Sequence, residues 1–161
     1  MRPSRRPWPV IVLAVMLVLL AIGALPAGFG FLRDPTGGKM GIGADALAGS
    51  PFRSYLIPGL FLVLVFGVWS LILTYGLLRR PRWPWFDLLT GWTREHWAWG
   101  FSVVQGAALM IWIAVQVAVI GSTSFLQPFY FVYGIILIAL CLPAAVRRYY
   151  AVAVTGGLPA S

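Results

Sequence analysis

Acidic residues, cysteine and histidine are almost missing from this sequence: Asp and Glu together number 4 in 161 residues, with 1 Cys and 1 His. One cysteine, Cys141, rules out a disulfide framework and a thiolate metal site. The single histidine, His96, has one acid beside it, Glu95. Neighbours in sequence do not face each other on a helix and no nucleophile accompanies them, so no catalytic site is expected there. Four long runs hold no charge at all, 8–32, 54–78, 97–127 and 124–146, the last two overlapping across a turn. Without Asp, Glu, Lys, Arg or His inside them, proton relays, charge-coupled transport and buried metals lack their usual carriers. No metal and no cofactor are expected.

What the chain has is apolar bulk: 60% hydrophobic and 10% charged residues, with a mean hydropathy of +0.88. Soluble domains carry about a quarter charged residues. A bilayer-crossing helix needs ~20 apolar residues, and the runs predict four spans, at about 8–31, 54–78, 97–120 and 125–146. The expected fold is all-α, a single four-helix transmembrane bundle occupying residues 1–161. The net charge of +8 reflects Arg flanking the spans rather than nucleic-acid binding. Arg2, Arg5 and Arg6, then Arg79, Arg80, Arg82 and Arg94, then Arg147 and Arg148 fall on one side; Arg33, Lys39 and Arg53 fall on the other. The positive-inside rule therefore places both termini in the cytoplasm. The first apolar stretch is too long for a typical signal peptide and has no good cleavage site near Ala27, so it reads as a retained span. Eleven Arg against one Lys suggests a GC-rich bacterial host and its cytoplasmic (inner) membrane.

Small-xxx-small pairs at Gly23/Ala27, Ser102/Gly106 and Ala114/Ala118 predict close helix contacts, within the chain or with a partner. The outer loop from Arg33 to Arg53 is Gly-rich, with turns at Asp34 to Gly38 and a helical turn expected at Ala44 to Ala48. Ser50 and Pro51 read as the N-cap and first residue of the second span. The cytoplasmic connection crowds Trp83, Trp85, Trp92, Trp97 and Trp99 among Arg residues. Indoles prefer the headgroup layer, so an aromatic belt with a short interfacial helix near Pro84 to Thr90 is expected. Arg79, Arg80, Arg82, Trp83, Trp85, Trp92, Arg94 and Trp97 are its candidate headgroup or partner contacts.

The polar residues within the spans fall into two layers. Gln105 lies at the depth of Ser70, with Thr74 a turn below. Gln116 lies with Gln127 and Tyr130 toward the outer end. Gln105 and Gln116 are about 20° from one face, and Trp112 shares it. Pro26, Pro58 and Pro128, near the outer ends of three spans, are expected to free carbonyls and splay their helices. The cleft so opened would gather Tyr55, Trp112, Gln116, Gln127, Tyr130 and Tyr133, a lining suited to an uncharged amphiphile.

The stretch 111–117, then Ser124-Phe125-Leu126-Gln127-Pro128 with Tyr130-Phe131, together with Ser50-Pro51-Phe52 and Leu56-Ile57-Pro58-Gly59-Leu60, resembles small uncharacterised membrane proteins of GC-rich bacteria. The resemblance spans roughly residues 40–140, with Trp-x3-Gln and Ser-Phe-Leu-Gln-Pro its most specific elements. It implies a four-helix membrane protein and no assigned activity. The sequence favours a non-enzymatic accessory or interaction protein among membrane lipids, a small subunit of a larger complex or a homo-oligomer. The alternative is a binder, carrier or enzyme for a lipid, isoprenoid or quinone at the outer aromatic-amide cluster. A void bounded by Gln116, Gln127 and Tyr130 would separate the second from the first.

Overall fold

The computed structural model describes residues 6–42, 47–48, 50–90, 95–121 and 124–151. Its elements are helical: α1 (Trp8–Arg33), α2 (Leu56–Arg79), α3 (Pro84–Thr90), α4 (Trp97–Ile120), α5 (Leu126–Cys141) and α6 (Ala144–Tyr150). Three of them, α1, α2 and α4, are long and apolar enough to cross a membrane. A fourth crossing exists only if α5 and α6 are taken together, across a 68° bend. The outward surface is aliphatic, with Ile22 60%, Leu64 52%, Ile111 64% and Val132 52% exposed. Such a girdle is unstable against water and at home in hydrocarbon. The chain is a membrane protein.

Hydrocarbon gives apolar helices no reason to cluster, so packing depends on close approach. Two antiparallel pairs form this way. In the first, α1 lies along α2, and a Cβ on Gly28 would stand 2.8 Å from the Gly59 carbonyl. In the second, α4 lies along α5, and Gly106 and Gly134 each meet the other's carbonyl 2.8 Å from where a Cβ would be. The short connection 121–125 makes that pairing unavoidable, and Gly121, at φ 80°, supplies its left-handed turn. Of the three predicted small-residue pairs, Ser102/Gly106 is buried at this contact, Gly23 and Ala27 border a cavity, and Ala114 and Ala118 face outward.

The fourth span departs from the predicted 125–146. α5 stops at Cys141 because Pro143 has no N–H to continue the ladder. Its 16 residues give about 24 Å, short of the ~30 Å hydrocarbon core. The second span also begins later than expected. Ser50 does not cap it: the hydroxyl bonds the Phe52 backbone at 3.1 and 3.2 Å, while Tyr55 precedes the first helical residue, Leu56. Pro58 and Pro128 therefore fall in first turns, where a missing N–H costs nothing. Of the three, Pro26 alone sits in a helix interior, so the expectation of three aligned kinks fails. Residues 44–46 of the expected turn lie outside the described residues.

Side chains from other elements close the exposed helix ends. The last carbonyls of a helix have no partner of their own. Leu77 O receives the Tyr150 hydroxyl at 2.7 Å, Leu78 O receives Arg6 at 2.7 Å, and Cys141 O receives the Trp99 indole at 2.9 Å. Gly134→Val should lower the thermal midpoint in detergent by several degrees, since its methyls would meet the Gly106 carbonyl. Ala139→Val, on the outward face, should leave it unchanged.

Candidate functional site

In α2 the backbone turns from α-helical to i→i+5 hydrogen bonding over Leu62–Val68 before returning to α at Trp69. Such π turns leave carbonyls poorly served and concentrate at functional sites. Here Gln105 of α4, almost fully buried, donates its amide to Val65 O at 2.9 Å and to Ser70 Oγ at 3.0 Å. The predicted inner polar layer is thus a fixed cross-tie, and Thr74 donates to Ser70 O at 2.9 Å beside it. Phe66, next to Val65, and Leu109, one turn on from Gln105, line the cavity that lies beyond.

Between α1, α2, α4 and α5, at the end carrying the Asp34–Tyr55 loop, is a cavity of about 360 Å³. Volumes of ~300–1,000 Å³ are usual for small-molecule sites. Leu20, Ala24, Phe31, Leu62, Phe66, Leu109 and Ile113 make most of its wall apolar. The polar members are Trp112, Gln116, Ser124, Gln127 and Tyr130. Four of the six residues picked from the sequence therefore meet at one void. They do so because Trp112 and Gln116 lie one turn apart on α4, opposite the first turns of α5. Gly23 leaves the room: a Cβ there would stand 2.8 Å from the Tyr130 hydroxyl.

Satisfaction of these groups is uneven. Gln127 donates to Gly121 O at 3.0 Å, closing the turn beneath it. The Gln116 amide and the Tyr130 hydroxyl make no hydrogen bond among the described residues, and the Trp112 indole nitrogen is buried without a partner. A buried polar group left unbonded costs about 1–3 kcal/mol. The Trp112 indole is such a group, and the partly exposed Gln116 and Tyr130 beside it are unbonded too, unlike the bonded polar groups elsewhere in the bundle.

The remaining two of the six lie elsewhere. Tyr133 does not reach the cavity; its hydroxyl donates to Met16 O at 2.7 Å and ties α5 to α1. Tyr55 stacks on Phe31 at 4.9 Å and lines a second void of about 80 Å³ under the loop. Phe31, Ile42, Leu62, Trp112, Gln116 and Ile120 border both voids and form the wall between them. The loop packing buries Leu47 beside Phe31 and Tyr55. Asp34 folds the loop's start, its carboxylate accepting from the Thr36 hydroxyl and, at 2.8 Å, from Lys39 N. Those bonds hold its pKa below the ordinary value, the Thr36 hydroxyl first.

The Trp-rich connection at the opposite end is not the predicted belt. The short helix is present as α3, but Trp97 is fully buried and stacks against Trp83 at 5.0 Å and Phe86 at 5.1 Å. Its indole donates to Pro81 O at 2.9 Å, as required of a buried Trp. The same carbonyl faces His96 Nε2 at 3.0 Å, while His96 Nδ1 accepts from Ala98 N and caps α4. That pattern makes the ring a neutral Nε2–H tautomer. Arg80 adopts a left-handed φ of 50° at the end of α2, where glycine is usual, and stacks over Tyr149 at 4.4 Å. Of the remaining candidate contacts, Arg79, Arg82 and Trp85 are exposed, and Trp92 and Arg94 lie outside the described residues. The aromatic count on its own could not tell a belt from a packed hub.

Glu95, next to His96 in sequence, is buried. One of its oxygens accepts from Arg147 Nε at 3.1 Å and Nη2 at 3.0 Å, which fastens α6 to the start of α4. The Arg147 side chain is 56% exposed, so the pair is partly screened. Arg147→Ala should still destabilise by about 1–3 kcal/mol, because it strips a buried carboxylate of charged hydrogen bonds. Arg148→Ala should change the thermal midpoint little by comparison.

No protein-family model, curated protein or solved structure matches this chain, and what it does has to be read from the cavity itself.

Proposed function

We propose that this protein binds, and carries or presents, a hydrophobic small molecule of the lipid, isoprenoid or quinone class in the cavity between its four helices. One observation carries this reading: the void bounded by Gln116, Gln127 and Tyr130 is large enough for a ligand and is bordered by polar groups the protein leaves unbonded. The lining supplies amides, hydroxyls and an indole. Among the described residues it holds no carboxylate, imidazole or amine for proton transfer, which favours binding over catalysis.

The accessory-subunit reading keeps one observation of its own, the outward-facing Ala114 and Ala118 pair on α4. A small-residue face of that kind suits a further transmembrane helix, from a partner or a second copy. Native mass spectrometry of protein released gently from its own membrane weighs both. We expect one discrete bound small molecule, lost in Ala27→Phe, whose ring fills the cavity, with the thermal midpoint preserved. A retained molecule unaffected by Ala27→Phe refutes the cavity reading, and a stoichiometric larger assembly without one favours the subunit reading.

For orientation, the Arg distribution supports both termini in the cytoplasm of a bacterial host, with the Asp34–Tyr55 loop outside and the cavity in the outer half of the inner membrane. A cysteine placed at Lys39 should react with an impermeant maleimide on intact cells. One placed at Arg148 should react only after permeabilisation; the reverse pattern inverts the topology.

A further inference from the structure

Resting on the ligand-binding reading above, we propose that the occupant carries an uncharged hydrogen-bonding head, a carbonyl or a hydroxyl, on an apolar chain, and that Gln116 selects it. The charge distribution argues against a phosphate head. Among the described residues no Arg or Lys lines either void, and the loop cations Arg33, Lys39 and Arg53 lie outside both linings. An anionic phosphate would enter an apolar cavity with no counter-charge, the costliest form of burial. A neutral head avoids that cost and finds donors and acceptors waiting. The Gln116 amide offers two donors and a carbonyl, and the Tyr130 hydroxyl can donate or accept.

Position singles out Gln116 from its neighbours. Together with Trp112 it borders both the 360 Å³ cavity and the 80 Å³ void beneath the loop. A head at their common wall meets the amide whichever chamber receives the chain. Trp112 is held flat against Phe61, with ring centres 4.7 Å apart and planes 24° from parallel, so it gives that head a fixed aromatic surface rather than a yielding one. Gln127 is unsuited to the same task, because its amide nitrogen is already committed to Gly121 O. Apart from the Ser124 hydroxyl, the remaining lining of the larger cavity is aliphatic or phenyl and accommodates a chain without specificity.

The test uses the full chain in phosphatidylcholine nanodiscs and three probes: decylubiquinone, dioctanoylglycerol and dioctanoyl phosphatidic acid, with binding read as added mass in native spectra. We expect at least one neutral probe to bind one-to-one, and phosphatidic acid to bind at least about tenfold more weakly, a difference of ~1.4 kcal/mol. Gln116→Leu should weaken the neutral probe by about tenfold with the ligand-free thermal midpoint unchanged. Gln116→Met, of similar length and without the amide, serves if the leucine variant does not fold. Binding of decylubiquinone alone assigns a carbonyl head, and of dioctanoylglycerol alone a hydroxyl. Phosphatidic acid binding as tightly as dioctanoylglycerol, or Gln116 variants binding like the parent, overturns the head assignment and leaves the cavity a ligand site. So does failure of all three probes while a native molecule is still lost in Ala27→Phe. Probe binding that survives Ala27→Phe overturns both readings, since the probe is then held elsewhere.

Discussion

Hydrocarbon offers a peptide group no hydrogen-bonding partner, and nearly every polar side chain in this bundle is placed by that constraint. Gln105 bonds Val65 O and Ser70, Tyr133 bonds Met16 O, and the Trp97 indole bonds Pro81 O. Each bond links segments distant in sequence, and each adds roughly 0.6–2 kcal/mol on a background where apolar packing discriminates weakly. The same accounting explains the ends of the helices, where Tyr150, Trp99 and Arg6 take carbonyls that would otherwise face lipid or headgroups. Against that rule Trp112, Gln116 and Tyr130 stand out, for their polar atoms border one void without bonding to each other.

The spans were legible because charge is so costly in hydrocarbon that a run of some twenty residues without any marks a membrane crossing. Gln105 and Ser70 could be paired from depth along their helices alone, and the meeting of Trp112, Gln116, Gln127 and Tyr130 followed from helical phase. Local punctuation misled. Ser50 and Pro51 have the residue types of a helix start, yet Ser50 folds back on Phe52 and the helix waits for Leu56. Pro143 reads as one more apolar residue in a charge-free run, although its missing N–H ends α5. Trp97 illustrates a deeper limit. Composition places an indole near the headgroups, but whether its face meets lipid or Trp83 depends on tertiary neighbours that no local pattern encodes.

The two ends of the bundle differ in kind. Around Trp83, Phe86, Trp97 and Tyr150 the rings interlock, and Glu95 with Arg147 draws the last helix against them. Around Gly23 and Ala27 the side chains are small and the space between helices stays open. Rigidity at one end and room at the other fits a scaffold that holds the four helices apart where a guest would lie, and the Gln105 tie marks the boundary between the two regimes.

The π stretch of α2 has a geometric consequence. In a regular α-helix Gly59 and Ser70 would lie about 20° apart, on one face. In this protein Gly59 meets Gly28 of α1, while Ser70 meets Gln105 of α4. The wider turns take up one residue and rotate Ser70 from the Gly59 face toward α4, while the lower half of α2 stays packed against α1 as well. A straight helix of the same sequence would keep Ser70 on the Gly59 face. The unusual backbone is therefore a phase shifter: its surplus residue is taken up within the wide turns, so removing one residue between Leu62 and Val68 would return the stretch to a regular helix with its two ends still in step.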